Sequence, residues 1–128
     1  MKNKELPKKR KTYQKGKMAE TLALWWLRLK GYRLVARNVV VGKGTKANEI
    51  DLIVCRGKTV VFVEVKRRPT ITAGLQAISI QAQQRIVCAS SVFLSHNTKF
   101  SNYSVRYDVV CIAPWKLPYH LEDAWRVL

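Results

Sequence analysis

The chain has 128 residues, and 24 Lys and Arg against 8 Asp and Glu give a formal net charge of +16. That length suits one domain. With 48% apolar residues, four Trp, five Tyr and three Phe it can build a core, which argues against a disordered chain. No apolar run approaches the ~20 residues of a membrane span. The three Cys lack metal-ligand spacing, which excludes a disulfide framework or zinc module. What remains is a small cytoplasmic globular protein whose positive field calls for a polyanion.

The first eighteen residues hold eight basic groups and one acid, Glu5, with no apolar periodicity. Residues 1–12 therefore read as a flexible basic arm, or equally as a plain solubility tail, and 13–128 as the single domain. A signal peptide is the rival reading, but Glu20 interrupts the apolar stretch and no small-residue cleavage site follows. Residues 13–30 read as a helix stopped by Gly31. Lys17, Thr21 and Arg28 share one stripe and apolar side chains fill most of the remaining circumference, Trp25 and Trp26 included, so this helix is expected to be largely buried.

Residues 32–41 read as a strand, followed by a basic loop from Gly42 to Asn48 that carries Lys43 and Lys46. Ile50–Cys55 and Thr59–Lys66 are β-rich runs joined by Arg56-Gly57-Lys58, a hairpin signal. Residues 70–74 read as loop, 75–94 as an amphipathic helix and 104–113 as a strand. Residues 119–128 read as a last strand or a short helix. Cys55, Cys88 and Cys111 all fall in apolar patterns and are expected to be buried thiols. The fold class is α/β, a short mixed sheet flanked by helices.

In so basic a chain the acids are the informative residues. Glu20, Asp51 and Glu64 sit where apolar side chains are expected. With Gly57-Lys58 as a two-residue II′ turn, paired indices sum to 115 and Asp51 faces Glu64. Two carboxylates ~5 Å apart at an effective dielectric of ~20 repel by roughly 3 kcal/mol. A shared proton, a nearby base such as Lys66, or a divalent cation would offset that. If Glu20 joins them, a cation is the simplest balance, and oxygen-only ligands suit Mg²⁺ or Mn²⁺. A three-residue turn would instead put the two acids on opposite faces. Ordinary strand-edge ion pairs are the plain alternative.

Asp51, then Glu64-Val65-Lys66 twelve residues further on, resembles the D…(D/E)xK core of the PD-(D/E)xK nuclease superfamily. Five blocks in order are similar to the YraN family of small bacterial proteins: Gly16–Glu20, Gly31-Tyr32 with Arg37-Asn38, Asn48–Ile53, Val61–Arg68 and Arg106–Val110. The resemblance implies a restriction-endonuclease-like αβββαβ core, akin to Holliday junction resolvases, and a Mg²⁺- or Mn²⁺-dependent endonuclease acting on structured DNA or RNA, DNA ahead of RNA. It implies Asp51, Glu64, Glu20 and the Val65 carbonyl as metal ligands and Lys66 as the residue that orients or activates water, with a homodimer allowed and no membrane partner. Glu49 is a secondary ligand candidate, with pairing to Arg37 or Arg67 as its plain alternative. Arg67, Arg68, Arg85, Lys43 and Lys46 are the expected phosphate contacts.

Three positions depart from the family pattern. Ala19 and Asn48 stand where Gly is usual. The second helix offers Gln81, Gln83, Gln84 and Arg85 near Ala82, where the family tends to have Lys. The missing Lys keeps a non-catalytic nucleic-acid-binding module open as the rival function, and an RNA- or ribosome-associated accessory protein held by the arm as a third. Trp115 and Trp125, in the tail, are candidates for base stacking.

Overall fold

A tight turn fixes the centre of the fold. In the computed structural model, which describes residues 8–42 and 49–127 (side chains from Gly16 onward), Gly57 has φ +59° and Lys58 is not among the positive-φ residues. That is the II′ signature. Cys55 pairs with Val60 and Ile53 with Phe62, so the indices sum to 115 as expected. The three-residue-turn alternative is thereby excluded.

The elements run α1 (Lys8–Leu29), β1 (Arg33–Val40), β2 (Glu49–Arg56), β3 (Thr59–Arg67), α2 (Ile71–Gln76), α3 (Ile80–Ser95), a 3-10 turn (Thr98–Phe100), β4 (Ser104–Ile112) and β5 (Tyr119–Trp125). They form one sheet in the order β1-β2-β3-β4-β5. Among the described residues only β3 and β4 pair in parallel, and α2 and α3 make the crossover that a parallel pair requires. This is the mixed α/β architecture expected, a five-stranded sheet flanked by helices.

The central strands are buried on both faces, which is why β2 and β3 read as continuous apolar runs rather than alternating ones. On one face Ala19, Ala23, Leu24 and Leu27 of α1 pack on Leu52, Val54, Val61, Val63 and Val110. On the other, Ile86 and Ala89 of α3 pack with Ile53, Val60, Phe62 and Val109.

The helices required most of the corrections. α1 is not largely buried: Met18, Leu22, Trp25 and Leu29 are exposed. It lies on the sheet through one narrow face, where small Ala19 and Ala23 permit close approach, and the other apolar positions turn to solvent. α1 begins at Lys8 rather than at residue 13; residues 1–7 lie outside the described residues. Residues 71–76 are helical, not loop. Thr70 caps α2 by accepting from the Ala73 N–H at 3.0 Å. Gly74 lies so close to β4 that a Cβ there would meet Cys111 Sγ at 2.8 Å. α3 starts at Ile80 rather than 75, after Ser79 caps it through the Ala82 N–H. Cys88 is exposed, since α3 turns Ile86, Ala89 and Ser90 inward instead; Cys55 and Cys111 are buried.

The tail forms a strand, β5, antiparallel to β4. Trp125 is core, not a free stacking residue: its ring stacks on Tyr107 with centroids 5.6 Å apart. Asp108, fully buried, fastens this edge. It accepts from Arg106 Nε at 2.9 Å and Nη2 at 2.8 Å, from His120 Nε2 at 2.6 Å and from the Asp123 N–H at 3.0 Å. Lys30 Nζ lies 3.0 Å from His120 Nδ1. An ammonium there donates to Nδ1, which leaves Nε2–H for Asp108. Burial works against the Asp108 charge, but the bonds from His120 and Arg106 outweigh it and hold the carboxyl below its ordinary pKa.

Candidate metal centre

The site is made by a fork in the sheet. The β2–β3 ladder runs from Arg56↔Thr59 to Leu52↔Val63. Beyond that point β2 stays with β1, through Ile50↔Val39 and Glu49↔Val40, while β3 stays with β4 through Glu64↔Val109 and Lys66↔Cys111. Asp51 and Glu64 are the first residues past the last rung. The Val65 N–H, which β2 no longer engages, donates instead to Asp51 Oδ2 at 2.9 Å.

Into this fork α1 brings Glu20. Carboxylate oxygens of Glu20, Glu49 and Asp51 all lie within 4.8 Å of one another, each side chain partly buried. Glu64 stands opposite Asp51, just past the last rung on β3, and its charge bears on the Asp51 carboxyl. Lys66 Nζ pairs with Glu64 at 3.2 Å. The structure thus places Glu20, Asp51, Glu64 and Lys66 in one neighbourhood. It adds Glu49 as a full member of the carboxylate cluster, where sequence spacing made it secondary. Arg37, one of the two alternative partners for Glu49, instead pairs with Glu20 at 3.7 Å.

The electrostatics of the fork are unfavourable to so many anions. Burial, then the neighbouring charge of Glu64 and its hydrogen bond, push the Asp51 carboxyl up to about 9; the Val65 N–H opposes them and Glu20 adds a further push. Burial also raises Glu20, against the pull of Lys17, Asn38 and Arg37. Among the described residues no hydrogen-bond donor reaches the buried Glu20 Oε1, whose ion partners Arg37 and Lys17 stand off at 3.7 Å and 4.0 Å. A buried oxygen with its cations beyond hydrogen-bond reach, beside a carboxyl pushed toward its protonated form, leaves room for a further positive charge among these ligands. Asn38 sits beside Glu20 with φ +54°, a left-handed conformation that Asn tolerates better than most residues.

The basic residues divide. Arg67 and Arg68 follow Lys66 at the end of β3, both exposed, and the Arg68 N–H donates to the Ile112 carbonyl of β4. Arg85 is exposed on α3, separate in sequence from the fork. Lys43 and Lys46, like Asn48, lie outside the described residues. Ala82, at the position where a Lys was expected, is half-buried in the first turn of α3. A cavity of about 620 Å³ opens elsewhere, between α3 and β5, and none of the clustered carboxylates lines it. No helix among the described residues is long and apolar enough to cross a membrane.

A five-stranded mixed sheet between helices, with carboxylates gathered where two strands part, defines a mixed α/β protein laid out like a restriction-endonuclease core. The chain belongs to the family described as "Uncharacterised protein family UPF0102", the YraN family, whose model matches residues 19–112. It is 44% identical over 114 residues to a UPF0102 protein of Paramagnetospirillum magneticum, covering 89% of this chain and 88% of that one. It is 45% identical over 114 residues to a UPF0102 protein of Parvibaculum lavamentivorans, covering 89% and 83%. A UPF0102 protein of Bartonella bacilliformis is 41% identical over 114 residues, covering 89% and 90%. The matched span contains the whole fork and ends with β4.

Proposed function

We propose that the protein is a divalent-metal-dependent phosphodiester hydrolase acting on structured nucleic acid, DNA ahead of RNA. The observation that carries this reading is the convergence of Glu20, Glu49 and Asp51 in a chain of net charge +16. The donor set is all oxygen and, among the described residues, includes a buried oxygen that no hydrogen-bond donor reaches, which fits a hard ion such as Mg²⁺ or Mn²⁺. Asp51, Glu49 and Glu20 would hold it, with Glu64 and the Val65 carbonyl completing the set.

When bound, such an ion supplies Lewis acidity toward a phosphoryl oxygen and a lowered pKa for a coordinated water. The chain supplies the rest. Lys66, held at 3.2 Å by Glu64, orients the attacking water and offsets charge that develops on the phosphoryl oxygens. Glu64 thereby acts on both sides, toward Asp51 and toward the ammonium. Arg67 and Arg68 lie next along the strand, where they can engage flanking phosphates and make affinity fall steeply with salt.

Incubating the protein in Mn²⁺ with flapped, branched and linear DNA and with RNA tests the reading. Cleavage that Asp51→Asn and Lys66→Ala abolish while binding persists is the expected result; a wild-type protein inert on all four substrates refutes it. One observation favours a non-catalytic binding module instead: residues 71–84 contain no Lys or Arg, so the start of α3 offers no cation toward substrate. Under that reading binding ignores metal, and Asp51→Asn behaves as wild type.

A further inference from the structure

The turn between β4 and β5 begins at the strand end that carries Lys66. Arg67 pairs with Ile112, and three residues later Trp115 stands fully exposed, at 101% of its reference accessibility. Adjacent strands are ~4.8 Å apart, and a chain advances at most ~3.6 Å per residue. The Trp115 backbone is therefore within roughly 20 Å of Lys66, at most about six base steps along a nucleic-acid strand at ~3.4 Å each.

Trp115 has φ +62°, a left-handed conformation that strains a bulky residue. Its indole buries no area in return. Beneath it a groove of about 470 Å³ runs between the turn and α1, with Met18, Leu22 and Leu117 as exposed apolar lining. Among the described residues, the charged side chains lining the groove are Arg67 and Lys116. An apolar floor, an aromatic edge and two cations match a nucleobase with its flanking phosphates.

We propose that Trp115 and this groove form a stacking subsite for an unpaired base of the nucleic acid whose phosphate reaches the acidic fork. The inference rests on the nucleic-acid reading and narrows it. A base stacked on the indole must already be out of a duplex, so the favoured substrate carries a single-stranded segment, a frayed end or an opened junction beside the scissile bond.

The test is equilibrium binding of the full chain in chelator, with no divalent ion. The ligands are a labelled single strand, the same strand with abasic sites, and a blunt duplex. Trp115→Ala weakens single-strand binding about five- to hundredfold and duplex binding less than twofold, and Trp115→Phe keeps most of the affinity. Abasic substitution weakens the wild type and leaves Trp115→Ala unmoved. Being fully exposed, Trp115 can be removed without unfolding the chain, which an unchanged melting temperature verifies.

Equal single-strand affinity of wild type and Trp115→Ala overturns the subsite while leaving the hydrolase reading standing. Wild-type protein that binds no nucleic acid overturns both. Retention on anionic phosphatidylserine vesicles that depends on Trp115, with oligonucleotide affinity unchanged by its removal, assigns the groove to lipid and overturns the proposal.

Discussion

Replacing Asp51 by Asn should make the metal-free protein more stable, not less. The folded carboxyl titrates near 9, and its ordinary value is 3.8. Between those values the folded state keeps a proton that the unfolded state has released. Stability therefore falls as pH rises, by about 1.36 kcal/mol per unit. This contribution is fully present below pH ~4 and gone above pH ~9. At pH 7 about three units of that loss have accrued, a ceiling of ~4 kcal/mol. Asn cannot ionise, and its carbonyl can still accept the Val65 N–H that Asp51 now accepts at 2.9 Å. Thermal and urea melts in chelator from pH 4.5 to 8.5 should show little difference at the acid end. At pH 7 the variant should gain roughly 5–15 °C in Tm, at several degrees per kcal/mol. A variant less stable than wild type at pH 7–8, or a gap that does not widen with pH, would refute the assignment of Asp51 as a buried, proton-retaining member of an anionic cluster.

Further consequences concern the fork and its supports. Mn²⁺ binding must displace the Asp51 proton, so calorimetry in buffers of differing ionisation enthalpy should show about one proton released per ion at pH 7. Affinity should rise about tenfold per pH unit up to ~9; pH-independent binding would contradict this. Asp108→Ala removes the acceptor shared by Arg106, His120 and the Asp123 N–H. By urea denaturation it should cost ~3–5 kcal/mol, because a largely buried cation loses its partner. Since the Asp108 pKa is depressed, its stabilising contribution holds above the ordinary carboxylate range and is lost as pH falls through the folded value. Gly74→Ala should cost ~1–3 kcal/mol through the 2.8 Å approach to Cys111 Sγ. A double-mutant cycle with Cys111→Ala should recover part of that loss.

The hairpin was legible because one glycine and two runs of β-branched residues determine its register, and with it the meeting of Asp51 and Glu64. The helices were less so. An apolar period cannot tell the face that meets a sheet from one that meets water, so Trp25 reads as buried although Ala19 and Ala23 make the contact. Leu75 and Ile78 continue the spacing of α3, and periodicity runs straight through the break at 77–79 that the Ser79 cap marks. Six-residue α2 is too short to show a period at all.

At the site, neighbours on one strand or hairpin can be read from spacing. Glu49 becomes a peer of Asp51 only because α1 crosses the sheet at Glu20 while β2 leaves β3 after Leu52. Neither event is written in local sequence. The link from Asp108 through His120 to Lys30, which joins β4, β5 and the turn after α1, left no local signal either.

The central claim is that the fork holds a hard divalent cation. Crystals soaked in Mn²⁺ and measured for anomalous scattering test it most directly. A single strong peak is expected among the carboxylates of Glu20, Glu49 and Asp51, absent from Asp51→Asn crystals treated alike. Fully soaked wild-type crystals with no peak there would contradict it.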